Sequence, residues 1–299
     1  GQEALYRTHI STLHLPSTFK DMGGSYMGDV FEVAGQNPAD TAMKTITVSD
    51  DNPLYSSHDG ILYNKKATKV VFCPRGVTSA KVLDGVTEIG DMAFFMCFDL
   101  ESVKLPDTLK VVGKGAFQYD EALTECELPK GLETVKDSAF FGAENWTGVD
   151  RIPSTVKTIG AYGFAECKGS KLTIPEGITK IEEFSFWGYE EGLEEINLPS
   201  TLKIIGNSAF SWAKDVKKLV IPEGVTSIGA EAFARLDSLE SLTLPSTLQE
   251  IGSKAFMGKE GGNMLKSVYI PSSVTSIADD AFLNREDTVI MTDSKDSAA

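Results

Sequence analysis

A block of about 23 residues recurs along most of this chain, and proline marks its register. Pro106, Pro129, Pro153, Pro175, Pro199, Pro222, Pro245 and Pro271 are separated by 23, 24, 22, 24, 23, 23 and 26 residues. One earlier register has Leu83 in the proline slot, within Val82-Leu83-Asp84-Gly85-Val86. The copies LESVKLPDTLKVVGKGAF, LEEINLPSTLKIIGNSAF and LESLTLPSTLQEIGSKAF agree too closely for chance. A unit this short cannot bury its own apolar face. The units must stack, so that each apolar column packs on the columns above and below.

Within the unit Leu239–Phe256, Leu239, Leu242 and Leu244 carry the spacing L-x-x-L-x-L, and the last two alternate as in a strand with one buried face. Pro245 ends the strand because it cannot donate to a ladder. Ser246-Thr247 turn the chain, Leu248 and Ile251 return inward, and Gly252 permits a tight backbone. Ser253 to Phe256 are expected to form a short helical or 3₁₀ turn, with Ala255 allowing close packing and Phe256 filling the coil. Each such Phe (Phe94, Phe117, Phe140, Phe210, Phe233, Phe256, Phe282) is expected to contribute roughly 1.5–3 kcal/mol by burial. Gly163-Phe164 and Ser185-Phe186 keep a small residue before the Phe.

These residues resemble the BspA-like branch of leucine-rich-repeat proteins. The resemblance rests on I-P-E-G-V-T-S-I-G (221–229), L-P-S-T-L-x-x-I-G (198–206 and 244–252) and the recurrent A-F, and is strong over about residues 80–292. N-P-L-Y-S-S-H-D-G-I-L-Y-N-K (52–65) resembles the hairpin insertion of that family, and His14-Leu15-Pro16-Ser17-Thr18-Phe19 a degenerate first unit. The fold implied is an α/β repeat solenoid: a right-handed leucine-rich-repeat superhelix with short strands on the concave face and short helical or 3₁₀ turns opposite. Many such repeats place Asn after the strand. Here Thr108, Gly131, Thr155, Gly177, Thr201, Gly224, Thr247 and Ser273 hold that slot, so no Asn ladder is expected.

The expected organisation is an N-terminal cap with an irregular first repeat and hairpin insertion (1–80), a regular array (81–292) in the same structural domain, and a polar tail (293–299). The chain opens Gly1-Gln2 without an initiator Met, read here as a cut point following a removed signal peptide. No apolar stretch approaches the roughly 18 residues that span a bilayer. A net charge of −15 opposes nucleic acid and anionic membrane surfaces. Four cysteines in 299 residues argue against a disulfide framework.

Candidate chemistry is sparse. His9, His14 and His58 lie outside the array, and Ser56-Ser57-His58-Asp59 are sequence neighbours rather than a convergent triad. Cys97 and Cys167 share a slot that Ala143, Tyr189, Ala213 and Leu236 fill elsewhere, which suits a buried structural role; Cys73 and Cys126 show no metal-ligand spacing. Gly113-Lys114-Gly115 lacks a third glycine, and Asn145-Trp146-Thr147 is formally a glycosylation sequon. Asp50-Asp51-Asn52 lacks a full calcium loop. No catalytic residue, metal or cofactor is therefore expected.

The best recognition surface is the concave strand face. Its outward positions are Lys104, Glu127, Arg151, Thr173, Asn197, Val220, Thr243 and Tyr269, and, two residues earlier, Ser102, Glu125, Lys171, Glu195, Lys218, Ser241 and Ser267. The candidate ligand-binding set is Lys104, Glu125, Glu127, Arg151, Lys171, Thr173, Glu195, Asn197, Lys218, Thr243 and Tyr269. Phe95, Phe141, Trp187 and Trp212 offer a second, aromatic surface. The resemblance implies a non-catalytic, exported bacterial surface protein that adheres to a protein ligand, such as host extracellular matrix or another surface protein. The alternative is a structural spacer or repeat module without a ligand of its own.

Overall fold

The computed structural model describes residues 10–20, 43–262 and 264–292. The chain divides into two compact units, Gly1–Gly148 and Val149–Ala299. In each, successive repeats stack as coils of a β-solenoid with two parallel ladders per coil.

The first ladder comes from the residues ahead of the proline slot. In unit 1, β6 (Ser79–Lys81) pairs with β8 (Ser102–Lys104). In unit 2, β12 (Lys171–Thr173) pairs with β14 (Glu195–Asn197), β16 (Lys218–Val220) with β18 (Ser241–Thr243), and β20 (Ser267–Ile270) with β22 (Val289–Thr292). The middle residues of the three-residue strands (Ala80, Val103, Leu172, Ile196, Leu219 and Leu242) point inward and are buried. The period of two sends their neighbours outward.

The second ladder uses two residues per coil. β7 (Glu88–Ile89), β9 (Val111–Val112) and β10 (Thr134–Val135) stack in unit 1. In unit 2, β11 (Thr158–Ile159) is the first strand of this kind, and β13 (Lys180–Ile181), β15 (Ile204–Ile205), β17 (Ser227–Ile228), β19 (Glu250–Ile251) and β21 (Ser276–Ile277) stack in the same way. The first unit's ladder is extended by an antiparallel meander. β3 (Tyr55–His58) and β4 (Ile61–Asn64) are joined by Asp59 (φ 49°) and Gly60 (φ 79°), and β4 pairs with β5 (Lys69–Phe72), which meets β7. Positive φ at both loop residues matches the twist of a two-residue hairpin. β1 (Thr12–Leu15) runs parallel to β2 (Thr45–Val48).

The expected helical or 3₁₀ turn around the A-F pair is absent, and the α/β description is corrected to a β-solenoid. Among the described residues, only Gly148–Arg151 forms a helical turn, of 3₁₀ type. The segment Gly90–Cys97 shows why. Ala93, Phe95 and Cys97 donate to Gly90, Met92 and Phe94 three residues back (3.2, 3.2 and 3.1 Å), closing consecutive tight turns. The alternate amides of Met92, Phe94 and Met96 instead donate to Lys114, Ala116 and Gln118 of the next coil (2.7, 2.8 and 2.9 Å). An α-helix would consume all of these amides within the segment and leave the next coil unbonded. The same pattern runs through unit 2, where Phe210 donates to Ala232 and Phe233 to Ala255, both at 2.8 Å. Its geometry requires left-handed residues on either side of the A-F pair, such as Met92 and Met96, Ser208 and Trp212, or Glu231 and Arg235. Each costs on the order of 1 kcal/mol, which an intercoil hydrogen bond of similar worth offsets.

Inside this turn column the Phe rings stack. Phe94, Phe117 and Phe140 are 4.8 and 5.0 Å apart, and Trp146 closes on Phe140 at 4.2 Å. Trp146 also donates its indole N–H to the Cys126 carbonyl at 2.8 Å. In unit 2, Phe164, Phe186, Phe210, Phe233, Phe256 and Phe282 form one continuous stack with centroid spacings of 5.2–5.8 Å.

The slot after the proline has a two-coil logic. Gly177 and Gly224 (φ 94° and 100°) each donate to a threonine hydroxyl of the following coil, Thr201 at 2.9 Å and Thr247 at 2.8 Å. Those hydroxyls in turn donate to the carbonyls of Ile178 and Val225. One residue earlier, Glu176 accepts from the amide and hydroxyl of Ser200 (both 3.0 Å), and Glu223 from those of Ser246 (3.1 and 3.0 Å). Coils reading P-E-G therefore lock onto following coils reading P-S-T. This supplies the backbone satisfaction that an Asn ladder gives other repeats.

Candidate functional site

The first ladder presents two outward columns in each unit. In unit 1, Ser79 and Lys81 stand in register with Ser102 and Lys104, and Ser102 donates to Ser79 at 2.9 Å. Lys81 and Lys104 are both exposed, so two like charges lie side by side. That arrangement opposes folding slightly. Glu125 forms a single bridge to Ser102, and Glu127 follows it, exposed.

In unit 2 the first position, Arg151, is exposed at the end of the 3₁₀ turn rather than on a strand. Lys171 and Glu195 are neighbours in register and form an ion pair at 3.1 Å. Asn197 donates to Glu195 at 2.9 Å and to Thr173 at 3.3 Å. Hydrogen bonding from Asn197, and then Lys171, holds the Glu195 carboxyl below its usual range. Lys218, Thr243 and Tyr269 continue the columns, all exposed. The structure thus gathers Lys104, Glu125 and Glu127 in one unit, and Lys171, Thr173, Glu195, Asn197, Lys218, Thr243 and Tyr269 in the other. Lys81, Val289 and Met291 belong to the same columns but escape the proline register, because their coils lack the proline.

The remaining candidates are occupied by structural work. Asn52 is fully buried and uses both ends of its amide: it donates to Pro16 and Phe19 (2.9 and 3.0 Å) and accepts from Leu54 and Tyr55 (2.9 and 3.0 Å). It fastens the first unit to the meander. Ser57 accepts from Val48 and Ser56 donates to Asn64, so neither faces His58, whose ring meets the edge of Tyr63. His14 contacts the hydroxyls of Thr47 and Ser49 (3.0 and 3.1 Å); His9 lies outside the described residues. The sequon residue Asn145 donates to Glu121 at 2.9 Å. All four cysteines are buried free thiols, and burial pushes those of Cys97, Cys126 and Cys167 up. Among the described residues, no group of three or more His, Cys, Asp or Glu could hold a metal. No helix among them is long and apolar enough to cross a membrane.

The second, aromatic surface divides. Phe95 is buried beneath Arg75, whose guanidinium sits 5.7 Å from the ring centroid, while Tyr119 and Phe141 continue the column half-buried. Trp212 packs against Arg235 and Lys214 at 4.4 and 5.0 Å, and Trp187 meets Phe184 edge-on. Arg235 is itself clamped by Asp237 through two bonds of 3.1 and 3.0 Å.

Asp120 is the odd member of the Cys97 slot, three residues after Phe117, and that charge among small or apolar residues is its signal in the sequence. It is fully buried; one oxygen accepts from the Cys97 amide at 2.8 Å and the other has no hydrogen-bond partner. Burial pushes its carboxyl well above the usual range, with the nearby Cys97 thiol adding to the effect. Below the unfolded value of about 3.9 both states are protonated and folding carries no ionisation penalty. As pH rises beyond that, the unfolded chain ionises first and the fold loses stability until Asp120 itself titrates. Asp120→Asn, which keeps the Cys97 acceptor, is expected to melt higher than the parent at pH 7. The advantage should shrink towards pH 4, as thermal unfolding across that range will show.

The sequence profile of the family described as "BspA type Leucine rich repeat region" matches this chain in six copies over residues 65–190 and 143–263. Among curated proteins, none is significantly similar. A solved leucine-rich repeat protein from Bacteroides ovatus is 21% identical, superposing over 80% of this chain and 69% of its own with a TM-score of 0.63. Another, from Eubacterium ventriosum, is 18% identical over 96% of this chain (TM-score 0.41), and the chain spans only 61% of its length. A leucine rich cell surface protein from Faecalibacterium prausnitzii is 19% identical over 80% of this chain and 88% of its own, with a TM-score of 0.44.

Proposed function

We propose, from the premise that this chain belongs to the BspA-type leucine-rich-repeat family, that it is a non-catalytic recognition protein of a bacterial surface. It binds protein ligands through the outward columns of the first ladder. The observation that supports this reading is the contrast between the two sides of those strands. Inward positions from β6 to β20 are small or aliphatic (Ala80, Val103, Leu172, Ile196, Leu219, Leu242, Val268) and buried, while Ile290 of β22 is exposed. Outward positions change chemistry from coil to coil (Lys104, Glu127, Thr173, Asn197, Tyr269) and are mostly exposed. The fold constrains the first set and leaves the second available for recognition. Lys81 beside Lys104 is mildly unfavourable for folding, as expected of a surface shaped by something other than stability.

The test is direct binding of the whole chain to immobilised extracellular-matrix proteins, beside an inert protein of matched charge. A saturable signal that survives physiological salt is expected, because apolar contacts as well as charges are available on this face. If every surface in the panel gives only salt-labile, non-saturable retention, the spacer reading replaces this one.

A further inference from the structure

The outward columns of unit 2 change character along the coils. At β12 and β14 they are charged and self-satisfied, with Lys171, Glu195, Asn197 and Thr173 bonded to one another. From β16 onward, one column runs Lys218, Ser241, Ser267, Val289 and the other Val220, Thr243, Tyr269, Met291, with β18 lying beside β20. None of these eight is acidic, in a chain with 43 acidic residues and a net charge of −15. Val220 and Tyr269 are 47 and 44% exposed beside buried inward neighbours, and β22 is exposed along its whole length, Ile290 (51%) as well as Val289 and Met291 (61 and 45%), so large apolar groups stand in water along the strip and at its end. Exposed apolar residues scattered singly are ordinary; a row on one ladder, free of carboxylates, is not. The strip's single charge, Lys218, has no ion pair among the described residues. Its column neighbour Glu195 is engaged by Lys171 and Asn197.

The geometry points to Lys218, Val220, Tyr269 and Met291 as a docking strip for an apolar segment of a partner protein that carries a carboxylate. This inference rests on the strand-face reading above and names its partner's chemistry. Lys218 receives the carboxylate, and the apolar side chains cover Val220, Tyr269 and Met291. Local charge supports the choice: Lys218 is the only charge in the two columns from β16 onward and no carboxylate stands in either, so an acidic group meets its complement there and no like charge within the strip.

Synthetic peptides alternating Leu and Phe with Glu, Lys or Ser, titrated against the full chain by fluorescence anisotropy, test this. The Glu series should saturate, with the Lys and Ser series at least about tenfold weaker. Val220→Ser combined with Tyr269→Ser should weaken the Glu series about tenfold, and Lys218→Glu should turn the preference to the Lys series. These side chains are exposed, and an unchanged melting temperature will confirm that each variant is folded. Equal binding of the Lys and Glu series, or no saturable binding of any series, would overturn the proposal. Glu-series binding that Lys104→Glu abolishes, but the Val220 and Tyr269 changes do not, would overturn the strip and leave the strand-face reading standing. Silence from both the peptides and the matrix panel would remove both.

Discussion

Phe233→Ala is expected to lower the unfolding free energy by about 3–5 kcal/mol. Its ring is fully buried between Phe210 and Phe256, at 5.2 and 5.6 Å and nearly parallel to both. Truncation removes the side chain's transfer energy and leaves a cavity between two rings held in place by their own coils. Those coils cannot close on it, because Phe233 donates its amide to Ala255 and Phe210 to Ala232, which fixes the spacing. In a solenoid each unit touches only its neighbours, so one cavity weakens both adjoining interfaces. Phe282→Ala should cost less, since Phe282 is only half-buried and stacks on Phe256 from one described side. Urea unfolding of the two variants gives the comparison. A loss under about 1 kcal/mol for Phe233→Ala would contradict the stacked column.

Gly252→Ala should cost about 2–3 kcal/mol for a single added methyl group. A Cβ at this position would lie 2.6 Å from the amide nitrogen of Ala230 and 2.7 Å from the carbonyl carbon of Gly229. Both are backbone atoms of the preceding coil, so no side chain can move aside. The cause is close approach and not a left-handed conformation, since Gly252 has no positive φ. Lys136, Glu182 and Ala278 hold the same slot in other coils, so the cost is specific to the approach at Gly252. Differential scanning calorimetry will show a lowered transition if the approach is as tight as the geometry gives. An unchanged one would mean that the coils sit further apart.

What was legible in the sequence follows from periodicity. The proline register and the alternation around it located the first ladder and its inward column, because a period of two and a repeat of about 23 residues leave little freedom. The turn column was misread. Ala-Phe after a glycine looks like the start of a helical turn, and the left-handed slots that forbid one hold Met92, Tyr162, Phe184, Ser208 and Glu231, residues that carry no such signal. The demand for intercoil amides overrides local propensity there. The P-E-G and P-S-T alternation was visible as text, but its meaning needs two coils read together. For the candidate site, the outward columns were legible, as was their mixed chemistry. The displacement of Arg151 onto a 3₁₀ turn and the exposure of Val289 and Met291 were not. Both lie in coils whose spacing or missing proline breaks the register.

The most direct test of strand-face recognition compares two faces at equal change in charge. Lys104→Glu with Arg151→Glu alters the outward positions ahead of the proline slot. Lys110→Glu with Lys180→Glu alters the second ladder's surface, where Lys110 makes an exposed ion pair to Glu133 and donates to the Gly131 carbonyl, and Lys180 makes an exposed ion pair to Glu182. Affinity for a saturable matrix ligand should fall at least about tenfold in the first pair and stay within about twofold of the parent in the second. Equal losses in both pairs, or a loss confined to the second, would contradict the assignment of recognition to the first ladder.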